Sequence, residues 1–178
     1  MRILFRLLGP ALIVLAAASA KAEEPPQYEV LMEALATSKT ATEARRLVPQ
    51  IWSHWLTAPD DAAQAVLNAA IQRRQIADYL GALKHLDILV KDYPDYAEGW
   101  NQRATIYFLI GDWDASLADV DAVLAIEPRH FGALSGRAMI YMQQGRVPLA
   151  QLAIKEAKEH HPFLNDRFIL NAPGSEDI

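Results

Sequence analysis

Apolar and small side chains recur at helical spacing through the central part of the chain. Trp100, Ala104 and Tyr107 fall three or four positions apart, so they lie on one face of a helix that begins near Ala97. A second apolar stripe follows after a short break, in Leu117, Val120, Val123 and Leu124. The pattern predicts two consecutive amphipathic helices, each with one apolar face to bury.

The residues around these two helices are typical of helix ends. Asp95 and Glu98 stand at the start of the first helix, where a cap and a first-turn acid are favourable. Gly111 can adopt the left-handed conformation that ends this helix, and Asp112 can cap the next one. Pro128 forbids further helix. The stretch is therefore predicted to form one helix-turn-helix unit.

The same order of residues returns at intervals of 34 positions. The columns with three members are Pro94, Pro128 and Pro162; Ala70, Ala104 and Ala138; Ala82, Ser116 and Ala150; and Leu86, Val120 and Ile154. Two of the copies also share Arg103 with Arg137, Tyr107 with Tyr141, and Gly111 with Gly145. One such unit cannot bury its own apolar face, so we expect neighbouring units to stack.

A period of 34 residues with small residues, an aromatic residue, a glycine and a closing proline in this order resembles the tetratricopeptide repeat (TPR) family. The resemblance implies an all-α fold, a right-handed α-α solenoid of about three helix-turn-helix repeats preceded by an N-terminal helical hairpin. The predicted boundaries are 63–96, 97–130 and 131–164 for the repeats, and 23–62 for a tail and the hairpin. Residues 165–178 are expected to form a short cap and a mobile tail.

The first repeat departs from the shared pattern. Arg73 replaces the tyrosine of the later copies, and Ala77 replaces their glycine. We therefore expect its turn to be built differently, or its first helix to run on. The third repeat keeps the pattern, and its Pro148 falls in the first turn of the second helix, where a missing amide hydrogen costs little.

The hairpin predicted between Tyr28 and Leu56 fits the repeat less well. Thr40 and Glu43 have the spacing of a capping box before its second helix, and Pro49 should kink or divide that helix. Trp52 and Trp55 could stack on a ligand, but aromatic residues three apart on an amphipathic helix more often belong to the core, and we favour the core. We expect the hairpin to cap the first repeat.

Residues 1–22 have the order of a secretory signal peptide. Two arginines precede an apolar run, and small residues follow it, so cleavage is favoured after Ala22, with Ala20 as the alternative. An uncleaved anchor is disfavoured, because the run is shorter than the roughly 20 residues of a membrane span. We therefore expect a periplasmic or secreted protein without a stable membrane anchor. The chain has no cysteine, so disulfides and lipidated cysteine are excluded.

The charge and the polar residues favour binding over catalysis. The net charge of −5 would become −8 without the three basic residues of 1–22, which disfavours nucleic acid as a partner. The sequence contains no glycine-rich phosphate loop and no nucleophile motif, and of its histidines only the adjacent His160 and His161 stand close together. Adjacent side chains on a helix point in different directions, so these two histidines are not expected to bind one metal ion. With the missing motifs, this predicts that the protein is not an enzyme and has no metal site and no cofactor.

The TPR resemblance places the first helix of each repeat along the concave side of the solenoid. The residues predicted to face that groove are Leu67, Ile71, Arg74, Glu98, Asn101, Thr105, Phe108, Ser135, Met139 and Met142. Phe108 and Met142 are the expected anchors for a partner, with packing against a neighbouring repeat or the C-terminal tail as the alternative. For Arg103 and Arg137, pairing with an acid of a neighbouring repeat is favoured over contact with a partner carboxylate.

The predicted function is a non-catalytic protein-protein interaction module, an adaptor or assembly factor of the cell envelope. Its partner would be a helix or peptide of an unidentified protein, bound in the concave groove. The alternatives are a small enzyme or ligand carrier with an acidic or histidine-bearing cleft, and a structural subunit of an envelope complex. The oligomeric state is left open.

Overall fold

A computed structural model of the protein describes residues 26–165, and within them all regular structure is helical. The eight helices are α1 (Pro26–Ala36), α2 (Ala41–Trp55), α3 (Asp61–Gln75), α4 (Tyr79–Asp92), α5 (Ala97–Ile110), α6 (Trp113–Ile126), α7 (Phe131–Gln143) and α8 (Val147–His160). The last six form three helix pairs, and each pair contacts the next in chain order. The predicted all-α solenoid of helix-turn-helix repeats with an N-terminal hairpin is confirmed. The predicted signal peptide and C-terminal cap lie outside the described residues.

Side-chain caps start most of these helices. Thr40 and Glu43 form the predicted capping box at α2, and the Asp112 carboxylate accepts the backbone N–H of Ala115 at the start of α6. Asp60 and Asp78 act in the same way at α3 and α4. Pro49 lies inside α2 without dividing it. The chain positions of these caps therefore set where α2, α3, α4 and α6 begin, whereas α5 and α8 begin without a side-chain cap.

The turn inside each repeat uses one residue in the left-handed conformation. Gly111 and Gly145 have φ of 82° and 70°, as expected for glycines that close a helix. Ala77 holds the equivalent position in the first repeat with φ of 55°. The expectation of a differently built turn was wrong: the alanine keeps the left-handed backbone and accepts the strain of its Cβ.

The repeats are held together by small residues in the interior and by two repeated ion pairs. Ser116 lies within the predicted small column and donates its hydroxyl to the Ala104 carbonyl at 2.8 Å. The Arg103 guanidinium binds both carboxylate oxygens of buried Asp119 at 2.8 Å, and it also reaches Asp87 in the preceding repeat. The structure gives Arg103 the structural pairing that the sequence favoured.

Arg137 repeats only part of this arrangement. Its guanidinium binds Asp121 of the preceding repeat at 2.7 Å, as Arg103 binds Asp87. The position equivalent to Asp119 is Ala153, so the buried carboxylate has no counterpart in the third repeat. Arg137 therefore makes an exposed ion pair, of the kind that contributes little stability.

The N-terminal hairpin packs in a place that the repeat pattern does not predict. Its buried residues form one cluster with Phe131 of the third repeat, and α1 contacts α8. Trp55 belongs to this cluster and Trp52 packs against it, which confirms the prediction that the two tryptophans belong to the core. The expected cap on the first repeat is therefore corrected to a hairpin laid against the third. The reason is that Tyr28 and Trp55 find buried polar and aromatic partners in Glu127 and His130, which lie directly before α7.

No helix in residues 26–165 is both long enough and apolar enough to cross a membrane.

Candidate functional site

An apolar groove lies between α5 and α7, the first helices of the second and third repeats. Its cavity has a volume of about 190 Å³. It is lined by Asn101, Ala104, Thr105, Phe108, Ser116, Val120, Gly132, Ala133, Ser135, Gly136, Met139 and Ile140. None of these lining side chains is ionisable. We call this cavity the α5–α7 groove.

Two glycines of α7, Gly132 and Gly136, are among the residues that line the groove. Gly132 and Gly136 are one helical turn apart on α7; the Trp52 ring occupies the space beside Gly132, and the space beside Gly136 is open. A Cβ placed on Gly136 would meet no atom within 4 Å. Larger residues stand at the sides, where Met139 is 37% exposed and Phe108 is partly buried against the interior cluster.

The hydroxyl groups of the groove already donate to backbone carbonyls: that of Ser116 to Ala104 of α5, and those of Thr105 and Ser135 within their own helices. The Thr105 hydroxyl donates to the Asn101 carbonyl at 2.9 Å, and the Ser135 hydroxyl donates to the Phe131 carbonyl at 2.6 Å. These bonds leave the hydroxyl oxygens free to accept, while the bulk of the surface remains apolar. The groove is therefore suited to apolar groups that carry at most an occasional donor.

The groove gathers part of the site predicted from sequence. Five of the predicted residues line it: Asn101, Thr105, Phe108, Ser135 and Met139. Leu67 is fully buried in the cluster of the first repeat, and Ile71 packs against that cluster. Arg74 is half-buried on α3, away from the cavity. Met142, an expected anchor, packs instead against the interior cluster of the third repeat.

Glu98 does not line the groove either. It is only 1% exposed and lies in a buried polar cluster. Its carboxylate accepts hydrogen bonds from Asn101, Gln102 and His130. The other ring nitrogen of His130, Nδ1, accepts the backbone N–H of Ala133 at 3.1 Å. His130 therefore carries its hydrogen on Nε2 and donates it to Glu98. The hydrogen bond between Glu98 and His130 therefore connects the start of α5 to the start of α7.

The hairpin packs against the start of α7 at Gly132, one of the residues that line the groove. The ring of Trp52 lies so close to α7 that a Cβ on Gly132 would be 2.7 Å from its Cη2 atom. The Trp55 ring stacks on His130, with ring centroids 3.9 Å apart. The signal that could have located this groove from sequence is the spacing of the two glycines within a helix, where glycine is unfavourable without a packing reason.

A second, more polar cavity of about 370 Å³ separates the hairpin from the loops that precede α5 and α7. Tyr28 donates its hydroxyl to Glu127 at 2.7 Å, and the Trp55 indole N–H donates to that hydroxyl at 2.9 Å. Arg129 adds a two-pronged ion pair to Glu29 of α1. These groups hold the hairpin to the repeats, so we call this cavity the hairpin cleft.

The ionisable groups of the hairpin cleft have shifted pKa values that follow from these contacts. Burial, reinforced by the hydrogen bond to Glu127, raises the pKa of Tyr28. Burial alone would raise the pKa of Glu127, but hydrogen bonds from Arg129 and Tyr28 outweigh it and lower that pKa. Burial lowers the pKa of His54. Within residues 26–165, no group of acids and histidines has the arrangement of a metal site.

Comparison with known proteins finds a relative of this chain, although no family model matches it. A Rhizobium etli protein named "TPR repeat-containing protein" is 32% identical over 148 residues, which cover 81% of this chain and 71% of that protein.

Among solved structures, MamA of AMB-1 superposes with a TM-score of 0.52 at 17% identity, covering 82% of this chain and 79% of MamA. A point mutant of MamA gives a TM-score of 0.51 at 17% identity, covering 74% of this chain and 96% of the mutant. These two likenesses concern the fold alone. With its 34-residue period, its stacked helix pairs and its R. etli relative, the chain belongs to the tetratricopeptide repeat family.

Proposed function

We propose that this protein is a non-catalytic interaction module that binds an apolar helix or extended segment of another protein in the α5–α7 groove. The observation that carries the proposal is an open cavity between two first helices, lined without any ionisable side chain. Solenoids of this family commonly bind partners along the surface formed by their first helices.

The chemistry of the groove supports binding more than catalysis. Acid-base or nucleophilic catalysis needs an ionisable group within hydrogen-bond reach of the reacting atoms. Near the groove, the carboxylate of Glu98 and the ring of His130 are buried and bonded to each other. Both have a structural reason to be there, because they join the starts of two helices.

We place the protein in the cell envelope on the basis of residues 1–22. Their basic, apolar and small-residue order is that of an exported chain. N-terminal sequencing of the protein from fractionated cells is expected to give Glu23 as the first residue, in the periplasmic or secreted fraction. A chain that still carries Met1 and sediments with the membrane would overturn this placement.

Site-specific photocrosslinking in cells tests the groove itself. A photoreactive phenylalanine analogue at Met139 would lie inside the groove, and the same analogue at Leu152 would lie on α8, where that side chain is 55% exposed. We expect a discrete crosslinked partner from position 139 and none of it from position 152. Gly136→Leu fills the groove and should remove the product at position 139.

The fold of the Gly136→Leu variant is checked by its thermal unfolding; leucine is a better helix former than glycine, and its Cβ would meet nothing within 4 Å, so the variant is expected to fold. A partner that crosslinks equally from both positions, or that survives the filling of the groove in a folded variant, would refute the proposal.

A further inference from the structure

We propose that the α5–α7 groove recognises an aromatic side chain of the partner, which lies on Gly136 as Trp52 lies on Gly132. This inference rests on the proposed function and specifies the class of residue that the partner must present. It follows from an aromatic contact that the protein already makes with itself at Gly132, a residue that lines the groove.

The first step is the contact that the structure shows. Trp52 approaches the backbone of α7 at Gly132, where a Cβ would lie 2.7 Å from Cη2 and 2.9 Å from Cζ2 of the indole. Glycine is therefore required for the ring to lie this close to the helix. Trp52 also meets His130 and Phe131 edge to face, with centroids 5.6 and 6.0 Å away.

The second step is the repetition of this arrangement one turn along α7. Gly136 lies on the same helical face as Gly132, and both line the groove. The space above Gly136 is open, since a Cβ there would meet nothing within 4 Å. The bare backbone that accepts a ring at Gly132 is thus present again at Gly136 without an occupant from residues 26–165.

The third step is the size and chemistry of the space. A closed apolar cavity of roughly 150 Å³ can hold benzene. The groove measures about 190 Å³, which suits one aromatic ring. Phe108 offers a ring for an offset or edge contact, and the Met139 thioether is a favourable neighbour of aromatic edges. The Thr105 and Ser135 oxygens can accept the N–H of an indole or the O–H of a phenol.

Methionine methyl signals provide the test. The chain has four methionines, of which Met139 lies in the groove and Met32 in the buried hairpin cluster. The full chain, labelled with ¹³C at the methionine methyl groups, is titrated with N-acetyl-tryptophanamide and N-acetyl-leucinamide up to the solubility limit of each. We expect the tryptophan amide to move the Met139 signal upfield and saturably, with the Met32 signal unchanged. The leucine amide should bind roughly tenfold more weakly.

Two substitutions make the test specific. Gly136→Leu should abolish the response of Met139, and Ala118→Leu, which introduces the same side chain at an exposed position of α6, should preserve it. The Met32 signal reports whether each variant is folded, and Gly136→Ala provides a smaller obstruction if leucine disturbs the helix. No saturable shift at Met139, equal responses to both amides, or an unchanged response in folded Gly136→Leu would each overturn the inference.

The two proposals can fail separately. A partner that crosslinks at position 139 while the amides show no aromatic preference would keep the proposed function and remove the aromatic specificity. Failure of the crosslink, with a selective response to the tryptophan amide, would keep the aromatic site and remove the protein partner.

Discussion

The contact between Trp52 and α7 can be tested with one methyl group placed at two neighbouring positions. Gly132→Ala and Gly136→Ala each add a Cβ to the same face of the same helix, one turn apart. At position 132 the new atom would lie 2.7 Å from Cη2 of Trp52, and at position 136 it would meet nothing within 4 Å. The two variants therefore share the gain in helix propensity and differ in the clash.

The magnitude follows from these two effects. Replacing glycine by alanine inside a helix stabilises it by roughly 0.5 to 1 kcal/mol. Carbon atoms prefer separations of about 3.5 to 4.0 Å, so the Trp52 ring must retreat by roughly 1 Å in Gly132→Ala. Neighbouring rings hinder that retreat, and overpacking of this kind costs about 1 to 3 kcal/mol. We expect Gly136→Ala to be more stable than Gly132→Ala by about 1 to 3 kcal/mol.

Urea unfolding of both variants and of the parent chain measures this difference, provided that the slopes with denaturant agree. The same pair made in a Trp52→Ala background supplies the control, because the clash with the indole is then removed, only the His130 Cε1 contact at 3.2 Å remains, and the difference between the two variants should shrink. Equal stabilisation by both alanines in the parent chain would refute the placement of the hairpin on the third repeat.

The turns, the ion pairs and the hairpin each yield a further expectation. Gly111→Val should destabilise the protein by about 1 to 2 kcal/mol and Ala77→Gly should stabilise it, because both positions are left-handed; thermal unfolding decides, and shifts of the opposite sign would contradict the assigned turn. Arg103→Ala should lower the free energy of unfolding by about 2 to 4 kcal/mol, because it leaves the buried Asp119 carboxylate without its ion-pair partner. Arg137→Ala should lower it by less than about 1 kcal/mol, and equal losses in chemical unfolding would contradict this difference. The pKa of Glu127 is lower in the folded chain, so the unfolded chain binds the proton more tightly, and stability should fall as the pH drops below about 4.3. Unfolding of Glu127→Gln measured over the same pH series should lack this contribution, and a profile equal to that of the parent chain would argue against it.

The parts of the fold that sequence analysis predicted are those set by local chemistry. Helix pairs follow from apolar spacing and from caps such as Thr40 and Asp112, which act within a few residues. The position of the hairpin depends on a hydrogen bond between Tyr28 and Glu127, which are 99 residues apart. No periodic pattern encodes that pairing, so the repeat rule suggested the wrong neighbour.

The candidate groove was likewise predicted only in part from the sequence. Repeat columns grouped Phe108 and Met139 on one surface, and both line the cavity between α5 and α7. They failed for Glu98, because a buried histidine more than 30 residues later holds its carboxylate in the interior. They could not reveal the vacant space at Gly136, which depends on the separation of two helices and on what each places opposite a glycine.

The most direct test of the central claim is the affinity of the partner segment for the groove. The segment crosslinked at position 139 is synthesised as a peptide and titrated calorimetrically into the parent chain, Gly136→Leu and the exposed control Leu152→Ala. We predict one site with a negative heat-capacity change, because apolar surface is buried. Affinity should fall roughly tenfold or more in Gly136→Leu and stay unchanged in Leu152→Ala. Equal affinity for all three chains would contradict the assignment of the α5–α7 groove as the binding surface.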